Sequence, residues 1–148
     1  MNNDERYVRE KLVERYIRLK DASTEAQVGW GRWLVGSLIL VHGGALVALS
    51  QGERVTTAMM KDGGICFAVG IVLALASGFA AWMNFTFSID LADDWSDPRL
   101  VTDATREFSI KGHNVKLITT LWASALCGVG SVASFAIGGY RVYSLISP

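Results

Sequence analysis

Three long stretches of this chain carry no charged side chain: Trp33–Gly52 (20 residues), Gly63–Ile89 (27) and Leu117–Tyr140 (24). About 20 mainly apolar residues, rising 1.5 Å each, cover a hydrocarbon core of roughly 30 Å. One such run could form the central helix of a soluble domain. Three within 148 residues leave too little polar chain to cover them. The pattern predicts an all-α membrane protein: one domain over 1–148 with transmembrane helices at about 30–50, 64–87 and 116–140.

The segments between these runs are polar and differ in kind. Asp4–Lys20, DERYVREKLVERYIRLK, has good helix formers, acids in its first turn and neither Gly nor Pro. At about 100° per residue its charged positions form one arc and Val8, Leu12, Val13, Tyr16 and Ile17 fall mostly opposite. An amphipathic N-terminal helix, within a cytoplasmic segment 1–29, is expected to pack on other cytoplasmic segments. The loop Gln51–Asp62 is short. The loop at 90–115 is long enough for a short helix, with Asp97-Pro98 supplying an N-cap and a proline at the first helical position. That helix is expected to run to about Phe108, with Gly112 placed to interrupt it before the third span.

Composition agrees with the pattern: 51% of residues are hydrophobic and only 19% charged, against roughly 25% in soluble domains. Mean hydropathy is +0.30. Some 32 residues of mixed charge precede the first run, unlike the short basic region of a cleavable signal. Net charge is zero, so only the distribution of sign is informative. Arg6, Arg9, Lys11, Arg15, Arg18, Lys20 and Arg32 precede the first span, and Arg99, Arg106, Lys111 and Lys116 lie between the second and third. Placing both segments inside puts eleven basic residues in the cytoplasm and leaves three outside, Arg54, Lys61 and Arg141. The expected location is a bacterial inner (plasma) membrane, N-terminus cytoplasmic and C-terminus outside.

Candidate chemistry is sparse. Asp90, Asp93, Asp94 and Asp97 could together hold a divalent cation, because hard ions take clustered oxygen ligands. Within them DDWSD resembles the aspartate-rich motif with which prenyl synthases hold magnesium diphosphate, over five residues and with no second such motif. Capping and solvation of the loop is the preferred reading. Cys66 and Cys127 lie at different depths and form no CxxC, so both read as packing residues. No HExxH, GxSxG, phosphate-binding loop or nucleic-acid module occurs. No catalytic residue, cofactor or nucleic-acid partner is expected.

The spans are instead marked by small residues, which let membrane helices approach closely. Gly36 and Gly44 in the first, Gly70, Ala74 and Gly78 in the second, and Ser124 and Gly128 in the third are the expected packing positions. His42 interrupts the apolar run LVHGGALVA, where an ionisable group is a functional-site hypothesis and rarely faces lipid. It falls roughly 160° from the centre of the Gly36/Ser37/Gly44/Ala48 face. If that face packs within the chain, His42 meets another subunit or a partner helix. The alternative turns it inward, onto Ser77, Ser124 or Ser131.

The expected function is that of a small non-enzymatic integral membrane protein in the lipid bilayer, a homo-oligomeric scaffold or an accessory subunit among other membrane subunits. The alternatives are an oligomeric pore or membrane-disrupting effector, and a small lipid-modifying enzyme. Bacterial diacylglycerol kinase is similar in outline, with an amphipathic N-terminal helix and three spans. That similarity is architectural and transfers no residue.

Overall fold

The computed structural model describes residues 3–52, 55–97, 99–103 and 113–146. Of these, 95% are helical and none lies in a strand. The elements are α1 (Asn3–Gln51), α2 (Thr57–Trp95), α3 (Arg99–Thr102) and α4 (His113–Ile146). Helices α1, α2 and α4 are each long and apolar enough to cross a membrane.

The polar N-terminal helix and the first apolar run form one continuous element of 49 residues, about 73 Å long. The helix expected over Asp4–Lys20 is thus continuous with the first span. Asp21–Gly29, DASTEAQVG, contains no proline, and Thr24 returns its hydroxyl to the Lys20 carbonyl at 2.7 Å, within the helix. Nothing there terminates the hydrogen-bond ladder.

Helix α2 also outruns its predicted span at both ends. It starts at a capping box in which Met59 N–H donates to Thr56 Oγ1 at 3.3 Å and Thr56 N–H reaches the Met59 sulfur at 3.5 Å. It ends where the Ser96 N–H turns back to the Ala92 and Asp93 carbonyls. Asp97 then caps α3, its Oδ1 accepting Arg99 N–H at 2.9 Å. Helix α3 ends at Thr102 and Asp103 is already non-helical, so the continuous helix expected from there to Phe108 is corrected; residues 104–110 and Gly112 lie outside the described residues.

Helix α2 is central. It packs on α4 along most of its length and on α1 along one side, while α1 and α4 touch little. The α2–α4 seam is an antiparallel ladder of polar contacts. Ser134 Oγ donates to the Cys66 carbonyl at 2.6 Å and Ser131 Oγ to the Gly70 carbonyl at 2.9 Å. Ser77 and Ser124 exchange hydroxyl-to-carbonyl bonds of 2.8 and 3.0 Å. Asn84 Nδ2 donates to the Leu117 carbonyl at 2.7 Å and to Thr120 Oγ1 at 2.8 Å. Positions 70, 77 and 84 of α2 thus meet 131, 124 and 117 of α4. Seven-residue steps on both helices are the repeat of a left-handed coiled coil, here lined by small polar groups.

Candidate functional site

Helix α1 meets α2 through large side chains set on glycines. An added Cβ at Gly78 would lie 3.1 Å from Val35 Cγ2, one at Gly64 3.9 Å from Leu46 Cδ2, and one at Gly70 would coincide with the His42 ring. His42 is fully buried within the single chain. Its Nε2 lies 3.0 Å from Ser131 Oγ and 3.1 Å from the Ser131 carbonyl. The carbonyl can only accept, so Nε2 carries a proton. The Ser131 hydroxyl hydrogen is directed to the Gly70 carbonyl. One junction therefore joins all three long helices. Nδ1 is buried without a hydrogen-bond partner, the arrangement of an Nε2–H imidazole. Phe135 stands edge-on to the ring at 5.5 Å, Phe67 lies 6.2 Å away, and the two phenyl rings are 5.5 Å apart.

The expectation that His42 faces a neighbouring subunit is thereby corrected in favour of the inward alternative. The helical wheel separates the two faces of α1 rightly and assigns them wrongly. Close approach of two helices needs small residues on only one of them, and α2 provides those. Gly36 and Gly44, expected at the packed face, point the other way, and an added Cβ at either meets nothing within 4 Å. The remaining packing positions lie inside: Gly70 under His42, Ala74 fully buried, Gly78 against Val35, Ser124 bonded to Ser77, and Gly128 with its Cβ position 3.5 Å from Ser77 Oγ.

The four aspartates expected in a loop are dispersed among different partners, and Asp90, Asp93 and Asp94 lie instead on the last turns of α2, which continues to Trp95. Asp93 pairs with Lys20 of α1, Asp94 Oδ2 lies 4.0 Å from His113 Nε2 of α4, and Asp97 caps α3. Asp90 is exposed. Trp95 packs edge-on against Tyr16 at 4.7 Å, and Arg9 Nη1 donates to the Leu100 carbonyl at 2.9 Å. Consecutive residues 93, 94 and 95 thus tie α2 alternately to α1 and α4. Among the described residues no three metal-competent side chains converge. Both cysteines are free thiols.

Two features escaped the sequence reading. Asn84 lies within the second span and its position, seven residues beyond Ser77, was a usable signal. The other is an apolar cleft of about 590 Å³ at the Gln51 end of α1, lined by Ala45, Leu49, Met59, Phe67, Gly139 and Val142 among others. It depends on how α1, α2 and α4 come together in space, which no local pattern encodes.

Comparison with known proteins finds no match: no family, no curated protein and no solved structure is similar to this chain.

Proposed function

We propose that this chain is a small non-enzymatic integral membrane protein, an oligomeric scaffold or accessory subunit of a membrane complex. Its three long helices cross a bacterial plasma membrane with the N-terminus inside and the C-terminus outside. The basic residues support that orientation, being concentrated before the first span and between the second and third.

The observation that carries the assembly reading is the outward glycine face of α1. Gly29, Gly36 and Gly43 recur every seven residues, Gly44 adjoins them, and an added Cβ at any of the four meets nothing within 4 Å. A glycine inside a helix costs about 1 kcal/mol relative to alanine, with no packing return here from the chain's own helices. A second helix approaching closely would supply that return. A pore has less support, since Ser77, Ser124, Ser131 and His42 bond one another across the bundle instead of lining a wet path.

The test is the mass of the intact assembly extracted in mild detergent. The wild type should run as a complex, and Gly36→Leu with Gly44→Leu should reduce it to a single inserted chain. An unchanged mass in that double variant overturns the reading.

A further inference from the structure

Contacts between the helices fix their relative heights. His42, Gly70 and Ser131 share one level along the bundle, because the His42 ring stands over Gly70 and meets Ser131 at 3.0 Å. Nine residues from that level toward the N-terminal side of α1 stand Trp33 on α1, Phe79 on antiparallel α2 and Trp122 on α4, each about 14 Å away. All three rings are exposed, and so is Trp82, whose ring lies 5.9 Å from that of Phe79. Nine residues the other way stand Gln51, Lys61 and Tyr140, again all exposed. The two levels enclose about 27 Å, close to the roughly 30 Å of a hydrocarbon core. Over 34–49, 63–79 and 123–139 every exposed residue is apolar or glycine. Asn84 and its bond to Thr120 fall beyond this band, Asn84 standing about 21 Å from the Gly70 level.

We infer that this band is the surface that meets the hydrocarbon core of a lipid bilayer, with its midplane at His42, Gly70 and Ser131 and its inner boundary at Trp33, Trp82 and Trp122. The inference rests on the membrane reading proposed above and adds where along the bundle the bilayer sits. Tryptophan favours that boundary, because its ring is apolar and its N–H stays within reach of headgroups and water. One such ring on each long helix, exposed and near a common level, makes a girdle that no single run of sequence displays. The uncharged stretch of α2, Gly63–Ile89, is centred on Ala76, six residues from Gly70. Its last part therefore leaves the hydrocarbon, and Asn84 bonds Thr120 among the headgroups. Residues 3–31 of α1, about 43 Å of helix, stand on the inner side, where Lys20 meets Asp93 and Tyr16 meets Trp95.

Nitroxide labels along α2 read the depth directly. In the full chain carrying Cys66→Ala and Cys127→Ala, single cysteines replace the exposed residues Ile65, Val69, Val72, Leu75, Phe79 and Trp82 in turn. Each labelled chain is reconstituted in vesicles of phosphatidylcholine and phosphatidylglycerol, and its depth is read from relaxation by oxygen against a water-soluble nickel chelate. Depth should peak between Val69 and Val72 and fall steadily to Trp82. On α4, a label at Val129→Cys should lie as deep as the deepest on α2, and one at Trp122→Cys close to the depth of Trp82→Cys. A peak elsewhere on α2, at Leu75 above all, or different depths at Val72 and Val129, overturns this placement alone. Labels uniformly in water, or a chain that does not enter the vesicles, overturn the membrane reading and this inference together.

Discussion

The imidazole of His42 on α1 passes over Gly70 of α2 and hydrogen-bonds Ser131 of α4, at 3.0 Å to the hydroxyl and 3.1 Å to the carbonyl. Two outer helices that otherwise touch little are linked across the one between them. The link exists because Gly70 has no side chain to block the ring, and because Ser131 spends its own hydrogen on the Gly70 carbonyl and so presents an acceptor.

Replacing His42 with leucine should remove that link, while the Ser131 carbonyl keeps its partner within α4 and the Ser131 hydroxyl its bond to Gly70. Hydrogen bonds between membrane helices contribute about 0.6 kcal/mol on average and up to about 1.7. The expected loss lies toward the upper figure, read as a lower midpoint of thermal unfolding in detergent. Because the ring faces inward, the mass of the assembly should not change. Dissociation without loss of stability would contradict the burial of His42.

Gly70→Ala should be among the most damaging single-methyl additions, since the new Cβ would occupy the His42 ring position. Overpacking of this kind costs typically about 1–3 kcal/mol. His42→Ala in the same chain should recover part of it. A double-mutant cycle with additive losses would show that the two residues do not meet.

Glycine-to-alanine changes should divide by face. Gly36→Ala and Gly44→Ala add a methyl to open space and should be neutral or stabilising to the single chain, by up to about 1 kcal/mol each through helix propensity. Gly138→Ala places a Cβ 2.9 Å from Phe67 Cε1 and 3.0 Å from Cys66 Cβ and should destabilise. Equal effects at the three positions, measured by thermal unfolding, would contradict this assignment of faces.

Among the aspartates at the end of α2 and the turn after it, Asp97→Ala should cost more than Asp93→Asn. The first removes an N-cap, about 0.5–2 kcal/mol. The second breaks an ion pair whose carboxylate is 62% exposed, where about 0–1 kcal/mol is usual. Hydrogen exchange at Leu100 and Val101 should rise in the first variant and hardly in the second.

Along the N-terminal part of α1, a hydrogen bond from Lys11, reinforced by its charge, holds the Glu14 carboxyl below its ordinary range. The depressed value means that the pair favours the helix above the usual carboxylate range and that the gain fades as pH falls through the Glu14 value. Carbon-detected NMR titration should find Glu14 low in the wild type and nearer normal in Lys11→Ala. Global stability should not register the change, because both groups face solvent.

Membrane-length helices, the short polar turn and the Asp97 cap were readable in the residues because each follows from local causes: the length of an uncharged run, a turn composition, a carboxylate preceding a helix. The same local reading placed Asp93 and Asp94 in a polar connection but could not foresee Lys20 and His113 as their partners, which are 73 and 19 residues distant. It identified two opposed faces on the first span, one small and one bearing His42, because periodicity alone separates them. Which face turns inward was decided only in the tertiary structure. Contact depends on complementarity between two surfaces, and the glycines of α2 accept the larger side chains of α1 while leaving Gly36 and Gly44 outside. The cleft has the same origin: its residues are ordinary membrane-helix residues in sequence, and only the packing of α1, α2 and α4 gathers them around a common space.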